Sequence, residues 1–212
     1  VDLATMLRSA ASSHRAVPFE LAAFIVRCVA LGLAHAHAAT SSHGEPLRLV
    51  HRDVTPHNVL LSRAGEVKLA DFGVAKSETQ QHETQTGTIK GKLPYISPEQ
   101  IHTNAVTDKS DVFSLGVVFW ELLTGTRLYD MNSELRIMQR ICDEPAPPPS
   151  TVRGDVDVEL DLLVQEMLAN ASAPRPSAAT VATRLGVWLE RRAEGAWTRR
   201  LAQWLAELPS VA

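Results

Sequence analysis

His51-Arg52-Asp53-Val54-Thr55-Pro56-His57-Asn58, followed at once by the apolar Val59-Leu60-Leu61, is the stretch that decides the fold. Pro56 lacks a backbone donor and has a fixed φ, so a regular helix is excluded across this segment. Thr55, directly before it, is pushed toward an extended or turn conformation. The three apolar residues at the end predict a short buried strand. A polar loop held beside a buried strand is a typical place for catalytic side chains, although the pattern also fits a solvated turn.

A second stretch, Glu66-Val67-Lys68-Leu69-Ala70, alternates as a β-strand does and runs into Asp71-Phe72-Gly73. The short gap at residues 62–65 predicts that the two strands form a hairpin. Further along the chain stands Ser97-Pro98-Glu99. In this order, the motifs resemble the catalytic loop, the metal-binding turn and the Ala-Pro-Glu segment of protein kinases. The resemblance covers the chain from its first residue to about residue 188.

Composition excludes several other classes of protein. The 212 residues suit one domain or a large part of one, and the net charge of −3 gives no reason to expect nucleic acid or an anionic membrane as the main partner. Cys28 and Cys142 lie in apolar helical patterns, which predicts buried free thiols in a reducing compartment. The longest apolar run, Leu115 to Leu123, is too short to span a membrane. We therefore expect a cytoplasmic protein, or one that is anchored only through other segments.

Apolar residues recur at helical spacing through much of the chain, which predicts a mainly α-helical protein. The predicted helices span residues 1–12, 18–39, 107–124, 133–142, 157–169, 176–191 and 193–208. The helix at 107–124 is apolar nearly all round and is expected at the centre of the core. His35 and His37 stand two residues apart near the end of a helix and point to different faces, which disfavours a shared metal ion.

The fold that the resemblance implies is the large helical C-terminal lobe of the kinase domain, with a small β hairpin at the catalytic loop. The sequence holds no Gly-x-Gly-x-x-Gly loop ahead of the catalytic loop and no Val-Ala-Ile-Lys strand, so the N-terminal β lobe is absent from these residues. We divide the chain into an incomplete kinase domain at 1–188 and a helical extension at 189–212. Because half of the nucleotide site is missing, we expect the 212 residues alone to bind ATP weakly and to show negligible activity.

The resemblance also implies a role for the polar residues of the two main motifs. Asp53 would accept a hydrogen bond from the substrate hydroxyl and take its proton, with ATP as the phosphate donor. Asn58 and Asp71 would hold Mg²⁺, which prefers hard oxygen ligands. Leu60 would form the apolar floor beneath the adenine. Asp2 would lie toward the ribose, although a carboxylate that caps the start of a helix fits this position equally well.

Regulation is implied by the residue beside the catalytic aspartate. Arg52 marks kinases that are switched by phosphorylation of the activation segment, because its guanidinium can clamp a phosphothreonine. In the polar segment at 74–94, Thr88 is the first candidate phosphosite and Thr86 the second.

Four residues are expected to be structural. Glu99 resembles the buried glutamate that pairs with an arginine late in the lobe, and Arg175 is the matching partner. Asp111 resembles the aspartate that hydrogen-bonds the backbone of the catalytic loop. His51 resembles the structural histidine of that loop.

Two positions depart from the pattern of Ser/Thr kinases. Thr55 stands where the family usually has a lysine, and Lys92, after Gly91, stands where it usually has a threonine. We hypothesise that the two side chains have been exchanged, and that Lys92 reaches back to Asp53 and Thr55 and neutralises phosphate charge. The alternative is that Thr55 marks a weakened or dead site and that Lys92 is a solvated loop lysine.

The implied function is that of a bacterial, eukaryotic-type (Hanks-type) Ser/Thr protein kinase, which uses ATP and Mg²⁺ to phosphorylate protein Ser/Thr hydroxyls. Pro56 and Asn58 fit this class better than the loop of tyrosine kinases does. A homodimer that phosphorylates its own activation segment is compatible with the resemblance. One rival is a pseudokinase or kinase-like scaffold, which Thr55 favours. The other is a small-molecule kinase of the aminoglycoside or choline type, which the threonine-rich segment and Ser97-Pro98-Glu99 disfavour.

Overall fold

The computed structural model describes residues 1–71, 91–103, 105–130, 133–192 and 195–209. These residues form a mainly α-helical fold with a two-stranded sheet, as the sequence predicts. The helices are α1 (Leu3–Ser12), α2 (Phe19–His37), α3 (Pro98–Thr103), α4 (Asp108–Thr124), α5 (Glu134–Asp143), α6 (Val158–Met167), α7 (Ala178–Glu190) and α8 (Trp197–Ala206). The strands are β1 (Val59–Leu61) and β2 (Val67–Leu69). Four residues of the sequence motifs, Phe72, Gly73, Thr86 and Thr88, lie outside the described ranges.

Each predicted helix has a counterpart, and α3 is an additional helix that apolar periodicity does not predict. α3 is six residues long, which is too short for a helical repeat to be recognised. It begins at Pro98, and proline suits the first position of a helix because its missing N–H would have no partner there.

α4 lies at the centre of the core. Its start is capped by Thr107, whose side chain accepts a hydrogen bond from the Lys109 N–H, while the Ser110 hydroxyl accepts one from the Thr107 N–H. It ends at Gly125, whose φ of 74° is left-handed and favours a residue without a side chain. All residues from Ser110 to Leu123 are buried. α4 packs against α2 and α6 and so forms the platform on which the polar loops rest.

The β1–β2 hairpin extends directly from the loop at residues 51–58. Its strands are antiparallel, with Val59 opposite Leu69 and Leu61 opposite Val67. The start of the chain lies along the free edge of β1, where the Leu61 N–H donates to the Val1 carbonyl at 2.8 Å. The hairpin therefore holds the loop at one end, while the start of the chain holds the hairpin.

α2 is the helix among the described residues that bears on the expectation of no membrane span. Its 19 residues are long and apolar enough to cross a membrane by length and composition alone. Counting uninterrupted apolar residues overlooks this helix, because Glu20 and Arg27 break the run. More than half of its most apolar window is buried inside the protein, and the helix packs against α4 and α7. Such burial is typical of a core helix in a globular domain.

The two cysteines are free thiols, as predicted, but they are half-buried rather than fully buried. Burial raises the pKa of both thiols above the ordinary value. Both groups are therefore poorly ionised and weakly nucleophilic at neutral pH.

α8 packs against α2 and against the turn of the hairpin. Gly65 in this turn has a φ of 82°, and a Cβ at this position would lie 1.8 Å from the backbone carbonyl oxygen of Thr198. At the other end of α8, Arg15 Nη2 pairs with Glu207 Oε2 at 2.6 Å, and its guanidinium lies 5.8 Å from the centre of the Trp204 ring. α8 thus connects the loop after α1 with the back of the hairpin.

We expect Gly65→Ala to destabilise the protein more than Gly44→Ala does. Both glycines have a left-handed φ, which costs an alanine about 1–2 kcal/mol. Only at Gly65 does the new methyl group also meet backbone, and such overpacking adds about 1–3 kcal/mol. Urea unfolding of the two variants measures the difference, and equal losses of unfolding free energy would contradict the close contact between the turn and α8.

Candidate active site

One buried carboxylate anchors the loop at residues 51–58. Asp111, in the first turn of α4, accepts hydrogen bonds from the backbone N–H groups of His51 and Arg52, each at 2.8 Å. His37, the last residue of α2, donates to the same carboxylate from Nε2, also at 2.8 Å. A buried carboxylate without such donors would carry a large desolvation cost, so the three hydrogen bonds stabilise Asp111 in its buried position. The loop is therefore tied to the ends of two core helices.

His51 joins this loop to the end of β2. Its ring is fully buried, with Nε2 2.9 Å from the carbonyl oxygen of Ala70 and Nδ1 3.3 Å from the backbone N of Asp53. A carbonyl can only accept and an N–H can only donate, so Nε2 carries the proton and Nδ1 accepts. The imidazole therefore sets the distance between Asp53 and the residues that follow β2.

Asp53 is held by two side chains that bond the same oxygen. Asn58 Nδ2 donates to Oδ2 at 2.9 Å and also to the Asp53 carbonyl at 2.7 Å. Lys92 Nζ donates to Oδ2 at 2.5 Å, and this pair is partly exposed. Within the part of the chain that the structure describes, no contact occupies Oδ1. The carboxylate is therefore oriented through Oδ2, and Oδ1 accepts no hydrogen bond from the described residues.

Thr55 lies in the same loop and is buried. Its carbonyl accepts a hydrogen bond from the Asn58 N–H at 3.0 Å, which closes the turn around Pro56. Among the described contacts of Lys92, none reaches Thr55. The structure thus brings Lys92 to Asp53, whereas the predicted contact between Lys92 and Thr55 is absent from the described residues.

The oxygens available beside Asp53 suit a hard cation. The Asn58 amide directs its nitrogen to Asp53, which leaves its oxygen for another ligand. The Ala70 N–H donates to the Asn58 carbonyl at 2.8 Å. Asp71 is the next residue after Ala70 and therefore lies beside Asn58, and Asp71 is exposed. An amide oxygen and a carboxylate fit Mg²⁺, which fills the rest of its shell with water and phosphate oxygens.

Two residues of the site have left-handed backbone without being glycine. Arg52 has a φ of 67° and Asp71 a φ of 57°. Such residues cost of order 1–3 kcal/mol and persist where the surroundings hold them. For Arg52, the bond from its N–H to Asp111 is one such constraint. Its side chain is exposed, as a clamp for a phosphothreonine would have to be, and both candidate phosphosites lie outside the described residues.

Leu60 and Asp2 line a surface cavity of about 410 Å³ beside the hairpin. Leu60 is exposed into solvent although it belongs to a buried strand. Asp2 also caps α1, since its Oδ1 accepts a hydrogen bond from the Thr5 N–H at 2.6 Å. Burial opposes ionisation of Asp2, but the hydrogen bonds from Thr5 lower its pKa. The contact of Asp2 as a helix cap is therefore present, while a role toward a ribose stays a prediction.

A second ion pair lies deep beneath the site. Arg175 is fully buried and binds Glu99 through both terminal nitrogens, at 2.8 and 2.9 Å. It also donates to the carbonyls of Ala169, Lys109 and Asn170. The Ser110 hydroxyl donates to Glu99 at 2.7 Å. This network fastens α3, the start of α4 and the loop after α6 to one another.

Sequence reasoning missed two contacts of buried titratable groups. The first is the contact between His37 and Asp111, since the spacing of His35 and His37 bears only on a shared metal ion. The second joins Glu121, inside the apolar α4, to the hydroxyl of Tyr95 at 2.8 Å. Burial raises the pKa of Glu121, and the Arg127 guanidinium opposes this effect. An ionisable residue inside an otherwise apolar helix requires a partner, and this signal could have directed attention to Glu121.

Comparison with known proteins found one matching family model and many relatives. The model of the protein kinase domain matches residues 2–185. The tyrosine-protein kinase MasK of Myxococcus xanthus is 34% identical over 205 residues, which are 96% of this chain and 32% of that protein.

Two further relatives are named as serine/threonine kinases. PknL of Mycobacterium tuberculosis is 40% identical over 153 residues, which are 72% of this chain and 35% of that protein. Serine/threonine-protein kinase A of Synechocystis is 36% identical over 165 residues, which are 76% of this chain and 32% of that protein. The chain therefore spans about a third of the length of these curated relatives.

We expect Glu99→Gln to destabilise the protein at neutral pH but much less in acid. Burial alone would raise the pKa of Glu99, but the hydrogen bonds from Arg175 and Ser110 outweigh it and lower the pKa below 4.5. The stabilisation is therefore complete above about pH 4.5 and is lost as the pH falls through the lowered pKa. At pH 7 the variant should lose about 2–4 kcal/mol, because the Arg175 guanidinium loses its buried counter-charge.

Urea unfolding of wild type and variant between pH 7 and pH 3 measures this difference. Glu159→Gln is the matched control, since Glu159 also pairs with an arginine but is exposed, and it should change little at any pH. A Glu99→Gln effect that stays constant down to pH 3 would contradict the assignment.

Proposed function

The chain belongs to the protein kinase family, and we propose that it forms the catalytic part of a bacterial Ser/Thr protein kinase that transfers the γ-phosphate of ATP to protein hydroxyls. The family model matches most of the chain, and the relatives named above come from bacteria. The observation that carries the proposal is the orientation of the Asp53 carboxylate, whose Oδ2 accepts hydrogen bonds from both Asn58 and Lys92. This arrangement supplies a base with a free oxygen beside a candidate cation site.

In the proposed reaction, Asp53 accepts a hydrogen bond from the substrate hydroxyl and takes its proton as the oxygen attacks the γ-phosphorus. The bond between this phosphorus and the bridging oxygen to the β-phosphate breaks, and ADP leaves with that oxygen. Asn58 and Asp71 would hold Mg²⁺, which when bound neutralises the charge of the phosphates. The chain itself positions the base: Asp111 and His51 hold the loop from below, so Asp53 needs little rearrangement before transfer.

Lys92 is proposed to act as the cation of the site. Its ammonium lies against Asp53 and is still partly exposed, with 38% of its side chain accessible. From this position a lysine can neutralise charge on the transferred phosphate. In the usual kinase pattern this cation comes from the position of Thr55, so the contact between Lys92 and Asp53 supports the exchange hypothesis over a solvated loop lysine.

The hydroxyl acceptor is proposed to be Ser or Thr. Pro56 and Asn58 match the Ser/Thr class, and PknL and the Synechocystis relative are named for that activity. MasK, which matches over more of the chain, is named as a tyrosine kinase. The two classes, Ser/Thr kinase and tyrosine kinase, can be distinguished with peptides that carry a central Ser, Thr or Tyr. The peptides are offered with ATP and Mg²⁺ to the longest natural chain that carries these residues. Labelling of Tyr alone would overturn the assignment, and labelling of none would favour the pseudokinase.

We also propose the division into a kinase region at 1–188 and a helical extension at 189–212, and weak ATP binding by the 212 residues alone. The Gly-rich loop and the phosphate-binding lysine of kinases are missing from this sequence. We therefore expect Mg²⁺-ATP to leave the melting temperature of the 212-residue chain almost unchanged, measured against Mg²⁺ alone. A strong thermal shift, or robust turnover by this chain, would contradict the expectation.

Regulation is proposed to act through Arg52. Its exposed guanidinium can bind a phosphate on Thr88 or Thr86, placed there by a second copy in a transient homodimer or by another kinase.

The exchange of Lys92 and Thr55 can be tested by reversing it. We expect Lys92→Thr to lower kcat about a hundredfold, because a positioned charge in the transition state is lost. Adding Thr55→Lys to that variant restores the usual family pattern and should recover most of the activity. The measurement is phosphorylation of a Ser peptide by the longest natural chain that carries these residues. Lys109→Thr is unsuitable as a control, because Lys109 donates a hydrogen bond to the Arg175 carbonyl.

Lys92→Arg is a better control than Lys109→Thr, because it keeps the positive charge at position 92 and changes the shape of the donor group. Unchanged turnover of Lys92→Thr would show that Lys92 is a bystander. A double variant as inactive as the single one would show that the two positions are not interchangeable.

A further inference from the structure

We infer that α8 positions the cation side of the candidate active site, because it holds the closed end of the hairpin whose open end carries the two proposed Mg²⁺ ligands. Asn58 directly precedes β1, and Asp71 is the second residue after β2. The turn between the two strands lies against α8 at Gly65. The inference rests on the proposed function, since it concerns the cation site of that reaction.

α8 is part of the protein core although it lies beyond the part of the chain that matches the family model. The model of the kinase domain ends at residue 185, and α8 begins at Trp197. Three apolar side chains of α8 are nevertheless buried in the same cluster as those of α2: Leu201, Trp204 and Leu205. A loosely tethered helix would leave such side chains in water. α8 therefore belongs to the rigid frame of the domain.

This helix is also attached to the frame at points away from the hairpin. Arg15, in the loop after α1, pairs with the Glu207 carboxylate at 2.6 Å and donates from Nη1 to the Glu207 carbonyl at 3.4 Å. The same guanidinium lies over the Trp204 ring. Because these contacts fix α8 without the hairpin, the helix can serve as a support for it.

The contact between the hairpin and α8 is made by backbone atoms. A Cβ on Gly65 would lie 1.8 Å from the carbonyl oxygen of Thr198 and 3.0 Å from the backbone nitrogen of Ala202. The backbone of a helix cannot move aside as the end of a flexible side chain can. The position of the turn relative to α8 is therefore closely defined.

Hydrogen bonds connect this turn to the cation site along the whole hairpin. The Ser62 N–H donates to the Glu66 carbonyl at 2.9 Å beside the turn, and the Ala70 N–H donates to the Asn58 carbonyl at 2.8 Å at the open end. The four residues from one end to the other span about 13 Å. A two-stranded hairpin is at best marginally stable alone, so its orientation depends on what packs against it. The start of the chain and α2 hold its sides, and α8 holds its turn.

The cation site is sensitive to this orientation. Asp71 has a left-handed φ of 57°, a conformation that persists only where the surroundings hold it. Mg²⁺ requires nearly ideal octahedral geometry, so a small shift of one ligand weakens its binding. The loop around the base has a separate anchor, because Asp111 bonds the backbone N–H groups of His51 and Arg52. A loosened turn should therefore affect Mg²⁺ more than the peptide substrate.

The first test measures the Mg²⁺ requirement of the longest natural chain that carries these residues. Gly65→Ala should raise the Mg²⁺ concentration for half-maximal phosphorylation at least about fivefold, as loss of support behind metal ligands does, while KM for a Ser peptide changes less than about twofold. Gly44→Ala is the matched control, since Gly44 also has a left-handed φ but a Cβ there would meet no described atom within 4 Å. It should leave both quantities unchanged. A slower Gly65→Ala enzyme with the wild-type Mg²⁺ requirement would overturn the inference.

A second variant loosens α8 without changing the hairpin, and it decides the question if Gly65→Ala does not fold. Arg15→Glu places two carboxylates opposite each other at Glu207 and should raise the Mg²⁺ requirement about twofold, as expected for an exposed pair. Arg184→Glu is its control: it opposes Glu166 in the same way on the surface of α7, away from the hairpin, and should have no effect on Mg²⁺. Equal Mg²⁺ requirements in the two variants would contradict a role for α8.

Hydrogen exchange separates this inference from the proposed catalysis, because it needs no phosphoryl transfer. In Gly65→Ala, the Ala70 amide at the open end of the hairpin should exchange at least about tenfold faster than in wild type, since the local opening becomes easier. The His51 amide, which bonds Asp111, should exchange as before. This pattern would support the inference even if no peptide is phosphorylated. Equal acceleration at both amides, or none at Ala70, would overturn the role of α8 and leave the kinase assignment intact.

Discussion

The position of the candidate active site depends on the hydrogen bonds that converge on the carboxylate of Asp111. Two of the donors are backbone N–H groups of the loop, and the third is the His37 side chain at the end of α2. Because the carboxylate is buried, it cannot exchange these donors for water without cost. The left-handed backbone of Arg52 is held in the same way. A strained loop, a helix start and a helix end are thus fixed by a single group.

A second buried network stabilises the frame in which Asp111 lies. The pair between Glu99 and Arg175 joins α3 and the loop after α6 to the first turn of α4, where Ser110 and Asp111 are neighbours in sequence. Ser110 bonds the pair and Asp111 bonds the loop, so both networks meet at one turn. The deep ion pair and the loop are therefore bonded to two adjacent residues of α4. The polar groups of this protein act as connectors between elements that apolar packing has already brought together.

Much of this architecture could be predicted from sequence, and the failures have physical reasons. The hairpin and the long helices follow from apolar periodicity, and motif resemblance paired Glu99 with Arg175 and directed attention to Asp111. α3 was missed because six residues hold too little periodicity. The contact of Gly65 with Thr198 could not be predicted either, since it joins backbone atoms across 133 residues and leaves no mark in side-chain pattern. His37 was missed because a lone histidine at a helix end has many uses, and only packing selects its partner.

The docking of α8 on the hairpin has a consequence for the order in which the site matures during synthesis. The loop with Asp53 leaves the ribosome first, Asp111 some sixty residues later, Arg175 after that, and Thr198 last of all. The loop therefore gains its supports in sequence, and the turn at Gly65 receives its covering helix only when translation of this region is nearly complete. Until then the back of the hairpin lacks the helix that packs against it in the folded protein.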